Sequence, residues 1–286
     1  MPDTVLTEEP LQFGEGGRLS GILTQPGMSS GNVRERPVFI FLNAGFLHRV
    51  GPSRLYVRLA RELALMGFSS LRVDLAGKGD SLRRPNLTNR QSVAADFEEI
   101  KGVLDSHLGG VPFVLAGVCS GADNAIRLTL NERRVVGLVL LDPVCFPNDG
   151  FGVRARATFV RWTSPARYIA GFKNRFRALT TKDGWTRNDP LDQRDFPTQE
   201  QLRAALKSIR EREGRVLSMF THYAFRGYYN QAGQLGRVIG VEGYHQFCTE
   251  LFWPQASHTY SLELHRRRII EEVKTWAANY TTGGNY

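Results

Sequence analysis

Hydrophobic and polar positions change their period several times along the chain. Pro37–Leu42 (PVFIFL), Phe68–Leu75 (FSSLRVDL), Pro112–Ala116 and Val135–Leu141 (VVGLVLL) are short, nearly continuous apolar runs with β-branched and aromatic residues. That pattern predicts strands buried on both faces. Between them the period becomes helical. Leu55, Leu59 and Leu63 repeat within Arg54–Leu65, Ser92–Leu108 is amphipathic and stopped by Gly109-Gly110, and Ala122–Glu132 follows the third run. Upstream, apolar stretches flank Gly14-Glu15-Gly16-Gly17, which predicts a hairpin. Downstream, Arg215–Tyr223 and Glu250–Pro254 predict two more strands, and Leu264–Tyr280 a closing amphipathic helix.

Strand and helix thus alternate four times with short connections, which demands a mostly parallel sheet with helices on both faces, an α/β fold. The alternation stops from Gly150 to Glu213, where the pattern is helical and no buried strand is evident. Residues 1–149 and 216–286 are therefore expected to form one core, and 150–215 a basic helical insertion. A chain of 286 residues fits one such domain.

Composition narrows the classes. With 42% hydrophobic and 23% charged residues, a largely disordered chain is excluded. No run of about 18 apolar residues marks a membrane span, and MPDTVLTEEP is not a signal peptide. Cys119, Cys145 and Cys248 are too scattered for a disulfide framework or a zinc cage, so a reducing cytoplasm is expected, with no metal and no cofactor. Cys145 and Cys248 read as small apolar fillers.

The net charge of +9 is unevenly placed. Gly150–Arg215 holds 12 Arg and 3 Lys against 7 Asp or Glu, and Arg154–Arg177 holds seven cations and no acid. Arginine favours planar oxyanions such as phosphate and carboxylate; a solvated helix face is the plainer account. No nucleic-acid motif accompanies the charge, so no nucleic-acid partner is expected.

Chemistry concentrates at Gly117-Val118-Cys119-Ser120-Gly121, where the third buried run meets a helix. A nucleophile on such a sharp turn is lifted above the sheet, glycines two residues to either side let strand and helix approach closely, and the helix N-terminus favours a thiolate. Ser120 as nucleophile would put Val118 and Ala122 where the glycines belong, so Cys119 is preferred.

With these runs in order, and with Asp74-Leu-Ala-Gly-Lys-Gly-Asp-Ser81 after the second, the chain resembles the α/β-hydrolase superfamily. The D-x-x-G-x-G-x-S loop is similar to that of its lysophospholipase-like and serine-aminopeptidase-like branch; Asn43–Pro52 and Tyr228-Tyr-Asn-Gln also resemble small hydrolases of exopolysaccharide-linked clusters. The resemblance covers most of the chain outside 150–213, and it implies that the 150–215 insertion is a lid. It implies an oxyanion hole made by the backbone N–H of Ser120 and of Phe46, the latter in Ala44-Gly45-Phe46 where relatives carry His-Gly-x. It implies a catalytic His258, in Gln255-Ala-Ser-His, since the other histidines (48, 107, 222, 245 and 265) hold no comparable place.

The third member departs from the common pattern. Relatives place an acid after the strand that follows the lid, yet Gly214–Val241 contains no Asp or Glu. Asp142, after Leu138–Leu141, is the substitute, a position used by many polyketide and nonribosomal-peptide thioesterases; a plain strand-end turn, or an amide such as Asn230 orienting a Cys–His pair, are the alternatives. Asp74 and Asp80 read as loop-fixing residues.

A cysteine nucleophile forms a thioester intermediate. That suits thioesterase or acyltransferase chemistry on a coenzyme A or carrier-protein thioester, or on an ester. An acidic acyl carrier protein or coenzyme A is the partner that the basic segment would favour. A carboxylester or lactone hydrolase, and a non-catalytic scaffold of the same fold, are the competing readings.

Overall fold

The computed structural model describes residues 6–27, 36–148, 194–221 and 228–280. The expected hairpin is β1 (Thr7–Phe13) and β2 (Leu19–Gln25), which pair antiparallel. The buried runs form β3 (Val38–Leu42), β4 (Ser70–Asp74), β5 (Phe113–Val118) and β6 (Val135–Leu141). Helices α1 (Leu55–Leu65), α2 (Asn89–Leu108) and α3 (Ser120–Thr129) alternate with them. After α4 (Gln199–Glu211) come β7 (Arg215–Thr221), the short α5 (Gln234–Ile239) and α6 (Tyr244–Phe247), β8 (Cys248–Trp253) and α7 (Glu263–Ala277).

One sheet holds all eight strands in the order β1-β2-β4-β3-β5-β6-β7-β8. β4, β3, β5, β6, β7 and β8 run parallel, with Phe41 aligned to both Arg72 and Ala116. The continuous apolar runs sort by strand parity onto two cores. Val38, Ile40 and Leu42 pack with Phe113, Leu115, Phe97 and Leu206 on the side of α2, α3 and α4. Phe39 and Phe41 pack with Val114, Ala116, Leu59, Ile269 and Trp276 on the side of α1 and α7. Burial on both faces is why these strands carry no polar alternation.

Helix α2 starts three residues before the expected Ser92, because Thr88 and Gln91 form a reciprocal capping box at its N-terminus. Of the segment expected to be inserted, 150–193 lies outside the described residues, and so does the Arg154–Arg177 cluster. Gln199–Glu211 is a helix with its own capping box, Thr198 and Gln201. Its Leu202, Ala205, Leu206 and Ile209 are fully buried in the α2/α3-side core. Burying three such aliphatic chains stabilises by about 2 kcal/mol each, so this stretch works as the crossover helix between β6 and β7. Among the described residues no helix is long and apolar enough to cross a membrane.

Candidate active site

The parallel strands all end at one edge, and the chemistry-bearing residues gather there. β5 turns into α3 through Cys119, whose φ of 57° and ψ of −121° are strained for a residue with a side chain. The turn is held by Cys119 N–H to Leu141 O (2.8 Å) and Asp123 N–H to Cys119 O (3.1 Å). The flanking glycines are sterically required. A Cβ on Gly117 would lie 2.3 Å from the Gly121 carbonyl carbon, and one on Gly121 would lie 2.6 Å from Leu42 O. Tyr56, on α1, braces the base of the turn: its hydroxyl donates to Leu42 O (3.1 Å) and accepts the Val118 N–H (2.9 Å). Cys119 is partly exposed, whereas Cys248 is buried. Burial pushes the Cys145 and Cys248 thiols well up, in keeping with packing roles.

His258 follows β8, and its Nδ1 lies 2.8 Å from Asp142 Oδ2. The Cys119 side chain lies near enough to the imidazole to act on its pKa. Burial alone would lower its pKa; the hydrogen bond to Asp142, the nearby Cys119 and the negative charge of both outweigh it and raise the imidazole to about 9. Asp142, just past β6, is 1% exposed and adopts a left-handed φ of 48°. Its Oδ1 accepts the Thr221 N–H at 2.7 Å, and its Oδ2 accepts the Thr221 hydroxyl as well as His258. Its own N–H donates to Met219 O (2.8 Å). The end of β7, where the sequence offers no acid, thus supplies a threonine that grips the acid of β6. Asn230 instead pairs with Gln234, its Oδ1 accepting Nε2–H at 2.6 Å.

The loop after β3 faces the elbow. Gly45 N–H donates to Ser120 Oγ (2.8 Å), so the serine hydroxyl is tied to this loop. Asn43 donates to Leu47 O (2.8 Å) and Asp74 Oδ1 (2.9 Å) and accepts the Leu75 N–H (2.7 Å). Phe46 is 56% exposed at the rim. His48, Asp74 and Asp80 bring possible metal-ligand atoms within 4.8 Å of one another. Arg49 already fills that centre, with Nη1 2.5 Å from Asp74 Oδ2 and 2.7 Å from both Asp80 Oδ2 and His48 Nε2. Asp74 also accepts the Arg49 and Asp80 N–H groups, so both acids tie loops together.

Sequence reasoning did not single out Thr221 or Tyr56. Neither belongs to a motif, and each acts on a residue brought near by the fold.

The family model for serine aminopeptidase, S33, matches residues 45–210. The chain belongs to that family. As a serine aminopeptidase S33 family member it is of a hydrolase lineage, and it departs from the family's name in carrying Cys119 at the elbow. The fold is that of α/β-hydrolases. An esterase of Pyrococcus furiosus is similar with a TM-score of 0.59 at 14% identity, over 98% of this chain and 92% of that one. Est1E of Butyrivibrio proteoclasticus, solved with ferulic acid bound, has a TM-score of 0.57 at 17% identity, over 93% and 96%. A thermophilic esterase of Thermogutta terrifontis, with malate bound, has a TM-score of 0.53 at 15% identity, over 96% and 100%. No curated protein matches the sequence.

Proposed function

We propose that this S33-family member is an acyl-processing enzyme in which Cys119 is the nucleophile, His258 the acid–base and Asp142 the residue that orients His258. The observation that carries it is the His258–Asp142 hydrogen bond at 2.8 Å, with the Cys119 side chain near enough to the same imidazole to raise its pKa. The Cys119 sulfur, its proton already held by the raised imidazole of His258, attacks as thiolate the carbonyl carbon of an ester or thioester. The backbone N–H groups of Phe46 and Ser120 stabilise the oxyanion, an effect worth about 10²–10³ in rate per donor. The bond to the leaving group breaks as His258 returns the proton to it, leaving an acyl thioester on Cys119.

Part of what raises His258 comes from Cys119, through its side-chain contact and its charge. Acylation removes both. The imidazole then drops and takes a proton from the incoming water, amine or alcohol, which displaces the acyl group and restores the thiol.

The finer reading is thioesterase or acyltransferase chemistry on a coenzyme A or carrier-protein thioester, with the Arg154–Arg177 cations favouring an acidic carrier. Plain carboxylester or lactone hydrolysis is the second reading, favoured by the esterases among the similar folds. Incubation with an activated acyl donor followed by mass spectrometry tests the proposal. A label on Cys119 that is absent in Cys119→Ala is the expected result; no label at neutral pH overturns it in favour of a non-catalytic scaffold. Faster turnover of carrier-bound than of simple esters, lost at high salt, separates the first reading from the second.

A further inference from the structure

Tyr56, on α1, meets the loop after β3 at both of its ends. At the start, its hydroxyl donates to the carbonyl of Leu42, the last residue of β3 (3.1 Å). At the close, its backbone N–H donates to Val50 O (3.1 Å). Its ring also lies so near Gly51 that a Cβ there would fall 2.6 Å from the Tyr56 Cγ, and Gly51 has a left-handed φ of 71°. Residues 43–50, with the Phe46 N–H among them, therefore leave from and return to one residue.

The same hydroxyl accepts the Val118 N–H at 2.9 Å. Val118 ends β5 and immediately precedes Cys119. One phenolic oxygen thus joins the last residue before the proposed oxyanion loop to the last residue before the nucleophile. β3 and β5 are in register at this point, with Leu42 beside Gly117. The loop's other ties run to different partners, from Asn43 and Arg49 to Asp74 and from Gly45 to Ser120.

The strut is rigid. Tyr56 is buried and stacks on Phe41, with ring centroids 5.1 Å apart and an interplanar angle of 30°. Burial pushes the phenol well up, so the hydroxyl keeps its proton and remains a donor. No solvent competes for it, and the side chain cannot swing away without breaking both bonds.

We infer that Tyr56 is a positioning residue for the oxyanion hole. Its hydroxyl fixes the spacing between the loop that presents the Phe46 N–H and the elbow that presents Cys119 and the Ser120 N–H. It touches no reacting atom and acts through the backbone alone. The inference rests on the reading of Cys119 as nucleophile.

Tyr56→Phe keeps the ring and removes only the hydroxyl. With 4-nitrophenyl butyrate its kcat should fall about 10–100-fold, the cost of a donor that no longer meets the oxyanion, with KM within about twofold. Two reagents for Cys119 separate this from a general loosening. Butyraldehyde adds to the sulfur, the S–C bond forming as the carbonyl electrons pass to the oxygen that the hole receives; its inhibition constant should rise by a similar factor. Iodoacetamide alkylates the same sulfur with loss of iodide and creates no oxyanion; its rate should stay within about twofold. Equal slowing of alkylation and turnover, or an unchanged aldehyde constant, overturns the inference. Phe41→Leu, which loosens the ring but keeps the hydroxyl, should show the same split to a smaller degree. It decides the matter if Tyr56→Phe does not fold, and no split then overturns the inference. A native protein that neither releases 4-nitrophenolate nor is alkylated at Cys119 means that the nucleophile reading has failed, and the role of Tyr56 falls with it. Native turnover that Tyr56→Phe leaves unchanged sinks the role of Tyr56 alone.

Discussion

Thr221 donates to both oxygens of Asp142, its N–H to Oδ1 at 2.7 Å and its hydroxyl to Oδ2, the oxygen that His258 Nδ1 also engages. The ends of two neighbouring strands therefore share one carboxylate. Thr221→Val keeps the volume but strips the hydroxyl, freeing the carboxylate to rotate. Its kcat should fall about tenfold, in line with a lost hydrogen bond to a charged group, with KM little changed, and Thr221→Ser should restore it. The same proximity puts an acid at position 221 within range of His258, so Asp142→Asn/Thr221→Asp should recover part of the activity that Asp142→Asn loses. No recovery, with the double variant folded, would show that only the left-handed backbone at 142 presents an acid correctly.

The raised imidazole gives a pH signature. His258 goes from 6.5 to about 9 in the folded chain, so the folded state holds its proton more tightly than the unfolded state. The resulting stabilisation is fully present below about 6.5 and is lost as pH rises through about 9. It is on the order of 3 kcal/mol. Urea titrations at about pH 6 and pH 10 should show native protein losing more than Asp142→Asn does, by the part of the shift that Asp142 supplies; equal losses would mean that the Asp142 contact does not hold the proton.

Ser120 contributes its backbone to the proposed oxyanion hole and its side chain to the loop that carries the other donor, through Gly45 N–H at 2.8 Å. Ser120→Ala leaves its own N–H in place but unties that loop. Steady-state kinetics should show kcat reduced about tenfold, below the 10²–10³ of deleting a donor outright, with KM within a factor of about two. An unchanged kcat would remove the loop from the reaction.

Gly121→Ala forces a Cβ to within 2.6 Å of Leu42 O and 2.8 Å of Asn43 O, both backbone atoms that cannot swing away. Thermal denaturation should show a loss of about 3 kcal/mol, together with loss of acylation at Cys119. A variant with native stability would mean that β5 and α3 have room to separate.

Much of this architecture is legible from residue order, and the exceptions share a cause. β3, β5 and β6 announce themselves because helices cover both faces of the sheet, so each strand is apolar throughout. Cys119 is marked by Gly117 and Gly121, which are local in sequence and needed by a local clash. Asp142 stands out because Gly214–Val241 lacks an acid. The spatial order of the strands carries no local mark, and neither do the short helices α5 and α6. Thr221 and Tyr56 are ordinary residues whose importance comes from partners 79 and 62 positions away. The first turn of α2 is hidden for a different reason: Thr88 and Gln91 begin it with polar side chains, ahead of its apolar periodicity.

Arg194, where the described chain resumes, bonds the Asp142 carbonyl (3.3 Å) and Asp123 on α3, so the polypeptide comes back almost to the point where β6 ends. Asp142 is thereby held at both ends, its carboxylate by Thr221 and its carbonyl by Arg194, so two separate restraints must break before it moves.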